Sequence, residues 1–292
     1  MSTSEYAFKL SQKLGWPHTL EEWRIMENAG TLLTLGEPTD LDGTAVVTHY
    51  DWGSALGMVL ISPEKQRSGK GLHFTKEILK TFEEDVLKTS ETDRGIRLVL
   101  TSSHNAESLY AKVGFEPIGS LVILKRTGQA DKEVITKGAI NTSGEEISRE
   151  FYDACPVRAK ILQDMIEGSG HSVCLKDASE NVEAFASSFK RVTYNGREEL
   201  AIGPILEGKQ KSVTRLIEHF TSSTVLDLTV FSLQGFKGEN TETKNYRSSL
   251  LEVFAKLGFR KIDELHFMSH GGKTIPHLAD VRKVSPMSLA FS

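Results

Sequence analysis

Hydrophobic residues in the first part of the chain follow two different periods. Helical spacing marks residues 6–14 and 20–28, and the second stretch begins with Thr19 and Glu22 at the spacing of a capping box. Strand-like runs separated by turns rich in Pro, Gly and Asp come next, over residues 31–36, 44–49 and 54–61. The pattern predicts two helices followed by an antiparallel meander.

After residue 61 the chain changes from apolar to glycine-containing and basic. A proline turn and a loop lead into a long amphipathic helix that ends near Lys88. A strand over residues 95–101 and a short helix over 106–113 follow. Residues 115–126 then read as two short strands forming a hairpin.

The second half of the chain repeats the first. The segment Tyr110-Ala-Lys-Val-Gly-Phe115 recurs as Phe254-Ala-Lys-Leu-Gly-Phe259, each at the end of a helix. Leu200-Ala-Ile-Gly-Pro204 leads into another amphipathic helix, which matches the strand, proline and helix order of the first half. Polar and small residues weaken the pattern between the halves. We therefore expect a domain over residues 1–127, a linker over 128–147 and a second, related domain over 148–292.

Length and charge narrow the class of protein. The 292 residues suffice for two ordinary domains, and 25% charged residues indicate a soluble globular chain. The net charge of −4, without a basic block, argues against nucleic acid as a partner. The chain has no apolar run long enough to predict a membrane span, and its N-terminal residues lack the apolar core of a signal peptide. Its two cysteines are too few for a disulfide framework. We expect a cytoplasmic protein, a monomer or homodimer, with no membrane partner.

The loop between residues 61 and 71 has the composition of a pyrophosphate site. Glycines at positions 69 and 71 allow close approach of backbone N–H groups, and the following helix directs its positive end at the same point. The spacing does not fit an NTPase P-loop, and the preceding meander does not fit a Rossmann unit.

Two motifs together resemble the GNAT N-acetyltransferase superfamily. Gln66-Arg-Ser-Gly-Lys-Gly71 after Ile61-Ser-Pro63 is similar to its acyl-CoA loop, and Ala106-Glu-Ser-Leu-Tyr110-Ala-Lys-Val-Gly-Phe115 is similar to its following helix. Ser103 stands where the superfamily usually has Asn. The resemblance implies an α/β (α+β) fold of two tandem GNAT-type domains, each a mixed, mostly antiparallel sheet flanked by helices. It also implies transfer of an acetyl group from acetyl-CoA to a primary amine of a small molecule or peptide.

The resemblance assigns roles to individual residues. Tyr110 takes the position of the tyrosine that can protonate the leaving thiolate. The strand from 54 to 61 splays from its neighbour, so that its backbone takes the pantetheine arm. The residues implied in acetyl-CoA binding are Val59, Leu60, Ile61, Gln66, Arg67, Ser68, Gly69, Lys70, Gly71, Leu72, Ser103, Asn105 and Lys112.

The general base and the acceptor pocket stay open at this level. The strand from 54 to 61 has no carboxylate, unlike superfamily members that keep a Glu there, and His49, Asp51 and His104 are the nearby alternatives. Trp16 and Trp23 either line an acceptor pocket or anchor helices to the sheet.

The second half departs from the cofactor pattern. Alignment of Pro204 with Pro63 places Glu207, Gln210 and Ser212 where Gln66, Gly69 and Gly71 stand, and Phe254 replaces Tyr110. We expect this half to be non-catalytic. The alternative to an enzyme is a non-catalytic acyl-CoA-binding or scaffold protein that keeps the fold. The usual first strand is also missing from the first half, and the apolar residues 287–291 are one candidate to cover that sheet edge.

Overall fold

The computed structural model of the chain describes residues 2–50, 53–89, 97–128, 139–141, 160–161, 163–164, 170–179, 181–193, 196–207, 210–271 and 283–285. The helices with described bounds are α1 (Thr3–Lys13), α2 (Leu20–Ala29), α3 (Lys70–Thr89), α4 (His104–Ala111), α5 (Gln210–Ser223) and α6 (Thr241–Lys256). The strands of the first half are β1 (Thr31–Glu37), β2 (Asp40–Tyr50), β3 (Gly53–Ile61), β4 (Leu98–Ser102) and β5 (Glu116–Arg126). The later strands are β6 (Ala139–Asn141), β7 (Gly170–Lys176), β8 (Val182–Val192), β9 (Glu198–Glu207), β10 (Asp227–Gln234), β11 (Arg260–His270) and β12 (Lys283–Ser285).

Local capping explains where the first helices begin. Ser2 and Glu5 form a reciprocal capping box at α1, and Thr19 and Glu22 form another at α2. Each box satisfies backbone N–H groups that a helix start otherwise leaves without acceptors. The capping box expected at Thr19 is confirmed.

All the described strands belong to one sheet. Its order is β1-β2-β3-β4-β11-β5-β10-β9-β8-β7-β6, and β12 pairs with β9 outside this path. Only the pairs β3–β4 and β9–β10 are parallel, and the others are antiparallel. The predicted mixed, mostly antiparallel sheet flanked by helices is confirmed, and strands of both halves belong to the same sheet.

The predicted hairpin over residues 115–126 is wrong. Residues Glu116–Arg126 form the single strand β5, and β11 from the second half pairs with it along its length. Gly119 lies within this strand, and its missing side chain makes room for the ring of Phe236, which would lie 2.6 Å from an added Cβ. β5 of the first half therefore lies between β11 and β10 of the second half, and β11 lies between β4 and β5 of the first half.

Each half contains a fork, which we define as the point where its two parallel strands stop pairing. In the first fork, β3 and β4 pair only as far as Leu56 and Leu100. In the second fork, β9 and β10 pair only as far as Ile202 and Val230. The splaying of β3 from β4 that the sequence suggested is confirmed.

The repeated hexapeptides end their helices in the same way. Gly114 and Gly258 have φ angles of 91° and 83°, values that glycine adopts without a steric penalty. The N–H of the next residue, Phe115 or Phe259, donates to the carbonyl of residue 110 or 254, at 3.1 and 3.0 Å. The sequence repeat is thus also a structural repeat.

Two further sequence expectations concern single segments. No helix in the described part of the chain has the length and apolar character needed to cross a bilayer. Cys174 is buried, as expected, whereas Cys155 and the apolar residues 287–291 lie outside the described residues. β1 forms one edge of the sheet, and β2 is its neighbour in the strand order.

Candidate active site

The first fork exposes the backbone of β3 beyond Leu56. Val59, Leu60 and Ile61 lie in this stretch, which pairs with β2 on one side and not with β4 on the other. A register shift against β2 forms a bulge here, and Met58 has a φ of 53°. The Thr44 hydroxyl donates a 3.1 Å hydrogen bond to the Met58 carbonyl and so supports the bulge. The free strand edge can therefore take an extended, peptide-like ligand.

The loop after β3 opens toward solvent in front of helix α3. It spans residues 62–69, and Arg67 and Gly69 have φ angles of 58° and 84°. A Cβ added at Gly69 would meet no atom within 4 Å, whereas one at Gly71 would lie 3.1 Å from Leu109. The first N–H groups of α3 have no acceptor within the helix and carry the positive end of its dipole. The loop is thus shaped to accept an anion.

Side chains of the loop bond back to the loop itself. Gln66 donates through Nε2 to the Ile61 carbonyl at 3.0 Å, and Ser68 donates through Oγ to the Lys65 carbonyl at 2.6 Å. These contacts hold the backbone of the loop in its conformation. Gln66 and Ser68 therefore shape the loop, and Leu72 lies half-buried in the first turn of α3.

Asp42 holds the two lysines beside the loop. Lys70 forms a hydrogen bond to its carboxylate, and Lys65 Nζ lies 3.7 Å from it. The hydrogen bond from Lys70 keeps the pKa of Asp42 below its ordinary value. Sequence reasoning assigned Lys70 to the phosphates and missed Asp42, because Asp42 belongs to β2 and precedes Lys70 by 28 residues.

The residues expected on α4 lie at three different places. Ser103 is exposed just before the helix and lines the cavity described below. Asn105 is exposed in the first turn, and Lys112 is exposed at the C-cap. The structure brings Ser103 close to the fork, while Asn105 and Lys112 face solvent.

A cavity of about 520 Å³ begins at the first fork and extends across the middle of the sheet. The first half lines it with residues of β3, α4 and β5, among them Met58, Val59, Tyr110, Ile123 and Lys125. The second half lines it with residues of β8 to β11, among them Arg191, Glu199, Asp227, Thr229, Phe231 and Leu265. The cavity is therefore composite, a result of the strand exchange between the halves.

Tyr110 lines this cavity from helix α4. Its side chain is only 6% exposed, and its ring packs edge-on against Phe115 with 5.7 Å between centroids. Burial raises the pKa of the Tyr110 hydroxyl well above its ordinary value. The hydroxyl thus keeps its proton, and both suggested roles, core packing and a hydroxyl at the cleft, are compatible with its position.

Two of the bases suggested by the sequence, His49 and His104, are not among the described residues that line the cavity. His49 is held by Ser54, with 2.8 Å between Nδ1 and Oγ, and His104 is 61% exposed and lies 3.4 Å from Asp263. Asp51 lies outside the described residues. The cavity wall instead contains His18, Glu199 and Asp227. Sequence spacing gave no signal for these, because two of them come from the other half.

The two tryptophans have different positions. Trp16 lines the cavity next to His18, with 5.7 Å between ring centroids. Trp23 is fully buried, and its Nε1 donates to the Ser11 hydroxyl at 3.2 Å. Trp16 thus has the position of a pocket residue, and Trp23 anchors α2 to α1.

A buried ionic cluster joins the halves beside the cavity. Arg191 of β8 lies 3.6 Å from Glu22 of α2, and His18 lies 3.6 Å from the other oxygen of Glu22. Burial opposes ionisation of Glu22, but the charge of Arg191 and the contact with His18 outweigh it and lower the pKa of Glu22 to about 2. From the sequence, Glu22 was recognised only as a capping residue.

A second cluster contains two acids around one lysine. Lys125 Nζ lies 2.8 Å from Glu199 and 3.7 Å from Asp227. Glu199 is nearly buried, and it stands opposite Arg191 in the β8–β9 register. The acids outnumber the lysine, so this wall of the cavity is suited to a cationic group.

The second fork is built alike but is filled by the chain itself. At Ile205 and Leu206, β8 pairs with one edge of β9 and β12 pairs with the opposite edge. Only residues 208–209 separate β9 from α5, compared with residues 62–69 in the first half. Pro204 lies within β9, whereas Pro63 follows the end of β3, so the alignment of Pro204 with Pro63 is wrong.

Comparison with known proteins bears on the fold. No protein-family model matches the sequence, and no curated protein matches it. A candidate acetyltransferase from Pyrococcus horikoshii aligns with a TM-score of 0.65 and 15% identity over 99% of this chain and 92% of its own. A GCN5-related N-acetyltransferase from Sphaerobacter thermophilus aligns with a TM-score of 0.58 and 11% identity over 100% and 97%.

A third structure matches both halves at once. A tandem GNAT protein from the clavulanic acid biosynthesis pathway aligns with a TM-score of 0.58 and 12% identity over 91% of this chain and 94% of its own. The chain has a tandem GNAT fold. At these identities the likeness concerns the fold, so the reaction of this chain must be argued from its own site. The described residues contain no group of three or more His, Cys, Asp or Glu side chains placed to hold a metal ion.

Proposed function

We propose that the chain is an N-acetyltransferase that transfers an acetyl group from acetyl-CoA to a primary amine by direct attack, with one active site in the first half. The observation that carries this proposal is the arrangement of three features along β3. The free edge of this strand reaches the cavity at Val59, Tyr110 lines the same cavity, and the anion-accepting loop begins directly after Ile61. Each alone has a structural explanation, but together they match the parts of an acyl-CoA thioester.

The residues of the first half fit acetyl-CoA. The open space at Gly69 and the positive φ angles of the loop suit the pyrophosphate, and the edge of β3 at Val59, Leu60 and Ile61 suits the pantetheine amides. Arg67 supplies positive charge, and Lys70 can add to it by leaving Asp42. When bound, acetyl-CoA supplies the thioester whose carbonyl carbon the amine attacks.

Tyr110 donates a hydrogen bond at its Oη in this proposal. Its raised pKa keeps the proton on the hydroxyl at all physiological pH values. A thiol has an ordinary pKa of about 8.5, so complete transfer of the Tyr110 proton to a thiolate is unfavourable. We therefore assign Tyr110 the role of a hydrogen-bond donor that stabilises the charge developing on the leaving sulfur, and not that of an acid that transfers its proton completely.

The attacking amine must first lose a proton. His18, Glu199 and Asp227 all line the cavity and are able to accept it directly or through water. Two of these come from the second half, so that half contributes to the first half's chemistry. In this division of roles, residues 1–127 hold the acetyl donor, and residues 148–292 complete the acceptor side without catalysing a reaction of their own.

The test begins with binding and continues with turnover. Acetyl-CoA at a hundred times its Kd should stabilise the protein by about 2.7 kcal/mol in thermal denaturation. Free-thiol release is then measured over panels of polyamines, amino acids, aminoglycosides and peptides. Binding together with amine-dependent thiol release supports the proposal, and the lack of any stabilisation by acetyl-CoA counts against it.

The alternative is a non-catalytic acyl-CoA-binding or scaffold protein. The observation that favours it is the lack of a carboxylate on β3. The acids at Glu199 and Asp227 weaken this argument, because they place carboxylates at the same cavity from other strands. Binding of acetyl-CoA without thiol release over the whole acceptor panel would favour the alternative.

A further inference from the structure

We propose that Arg191 binds an anionic group of the acceptor, and that the preferred acceptors are amines that also carry a carboxylate. This inference rests on the proposed function, since it names the substrate class for the same cavity. Its starting point is that a buried guanidinium in the cavity wall has hydrogen-bond donors that nothing in the described structure accepts.

Arg191 is an unusual wall residue. It is 2% exposed, lines the cavity and has no hydrogen-bond acceptor for Nε or Nη2. A buried charge is costly unless it is paired and hydrogen-bonded, and buried guanidinium groups normally have their donors satisfied. The unsatisfied donors of Arg191 therefore point to a partner that arrives with the ligand.

Glu22 does not satisfy these donors. Its Oε2 accepts a 2.8 Å hydrogen bond from the Thr19 N–H and so serves the capping box of α2. Its Oε1 lies 3.6 Å from Arg191, beyond hydrogen-bond distance, and is itself without a donor. Glu22 thus balances the charge of Arg191 while leaving its N–H groups available.

Phe231 holds the guanidinium in place. The ring lies 5.6 Å from the Arg191 Cζ atom and also lines the cavity. A cation over an aromatic face is attracted to it, and a planar guanidinium kept in one orientation is suited to bidentate carboxylate binding. The arrangement restricts Arg191 before any ligand is bound, which lowers the entropic cost of recognition.

The charges around Arg191 favour a carboxylate over a phosphate and also accommodate an amino group on the same ligand. Glu22 lies beside Arg191, Glu199 stands opposite Arg191 on β9, and Asp227 stands opposite Glu199 on β10. These carboxylates would strongly repel a doubly charged phosphate. A carboxylate carries one charge and suits one guanidinium. The two acids that share Lys125 provide for the cationic end of the same molecule before it is deprotonated.

The experiment compares paired acceptors that differ only in a carboxylate. Phenylalanine and phenethylamine, lysine and cadaverine, and arginine and agmatine are assayed by thiol release with the full-length chain. We expect the wild type to favour the carboxylate member of each accepted pair by at least about tenfold in kcat/KM. Arg191→Gln should remove this preference, and Arg191→Lys should retain part of it because the charge is kept.

Arg247 provides a matched control. It is also buried, lies over a ring, Phe236, at 5.4 Å, and is paired with Glu239 at 2.6 Å, but it does not line the cavity. Arg247→Gln should leave the ratio of the two kcat/KM values unchanged, even if it lowers stability. The ratio is measured within one variant, so partial unfolding lowers both values together and does not alter it.

A binding readout separates this inference from the proposed activity. The same amino acids, added in the presence of CoA, should raise the Tm of the wild type and not of Arg191→Gln. That result supports the role of Arg191 even if no acceptor is acetylated. The inference is overturned if the wild type prefers the decarboxylated amines, if the preference survives Arg191→Gln, or if no amino acid raises the Tm of a protein that binds CoA.

Discussion

The two forks of the sheet begin alike and are completed differently. In both, a parallel strand pair separates after a few residues, and a register shift lies close to the point of separation. The first fork is followed by an eight-residue loop with Arg67 and Gly69 in the left-handed region, whereas two residues follow the second. β12 then pairs with the free edge of β9, while the edge of β3 stays available.

This difference shows that a duplicated fold can keep its framework and lose its ligand site by local changes. The ring pair at the helix end is kept in both halves, as Tyr110 with Phe115 and Phe254 with Phe259, each with 5.7 Å between centroids. The hydroxyl is present only where a cavity adjoins the ring. The second half instead contributes strands and charged residues to the cavity of the first.

The largest effect is expected from charge reversal in the loop. Gly69→Glu places a carboxylate in the open space in front of α3 and forces a side chain onto a φ of 84°. Acetyl-CoA affinity, measured by calorimetry, should fall by at least about 1,000-fold, because like charges placed together cost several kcal/mol.

The matched change in the second half is Gln210→Glu at the start of α5. It should leave acetyl-CoA affinity unchanged, and the wild type should bind one acetyl-CoA per chain. Two sites per chain, or equal losses for Gly69→Glu and Gln210→Glu, would contradict the contrast between the forks.

The next effect concerns the ion pair between the halves. The pKa of Glu22 is lowered from 4.5 to about 2, so its contribution to stability is fully present above about pH 5 and is lost as the pH falls toward 2. The contribution is about 3 kcal/mol at most. Urea unfolding between pH 6 and 2.5 should show a smaller acid-induced loss for Glu22→Gln, which keeps the capping box.

Half-buried Glu5 provides the control for this measurement, since it serves the same capping role at α1 and its ion-pair partner Arg24 is not buried. Glu5→Gln should follow the pH dependence of the wild type. If Glu22→Gln follows it as well, the coupling of Glu22 to Arg191 does not stabilise the contact between the halves.

A smaller effect is expected at the helix α4 tyrosine. Tyr110→Phe removes only the hydroxyl, so acetyl-CoA affinity should be kept while kcat falls by about 10- to 100-fold when chemistry limits the rate. Full retention of kcat under that condition would remove Tyr110 from the reaction.

The reciprocal change Phe254→Tyr places a hydroxyl in a fully buried position. It should lower the free energy of unfolding by about 1–3 kcal/mol, the cost of a buried unsatisfied hydroxyl, and should create no second activity. A second bound acetyl-CoA in this variant would show that the tyrosine alone separates the two halves.

The smallest effects test which half supplies the groups around the acceptor. Glu199→Gln in the second half should lower kcat/KM by roughly fivefold, about 1 kcal/mol, since it removes one of the acids of the cavity. His104→Ala in the first half should change it by less than about twofold, because this side chain is largely exposed and its ion pair is weak. If His104→Ala lowered kcat/KM more than Glu199→Gln, the first half and not the second would supply the groups around the acceptor.

Local patterns in the sequence predicted much of the fold. The capping box at Thr19, the meander, the helix ends at Gly114 and Gly258 and the glycine loop all depend on residues close together in the chain. The pairing of β5 was mispredicted because both of its partner strands, β10 and β11, lie in the other half of the chain, where no local pattern reports them. The acceptor wall was missed for the same reason, since Arg191 and Glu22 are far apart in sequence.

The amino-acid sequence by itself determined the elements of each half, their repetition and the presence of one glycine-rich loop, since periodicity, caps and turns are short-range properties. Only the tertiary structure decided which strands became neighbours. β5 pairs with two strands of the second half, and β11 pairs with two strands of the first half. A strand edge offers the same N–H and C=O groups to any partner, so pairing is chosen by packing over the whole sheet. That choice creates the shared cavity and fills the second fork.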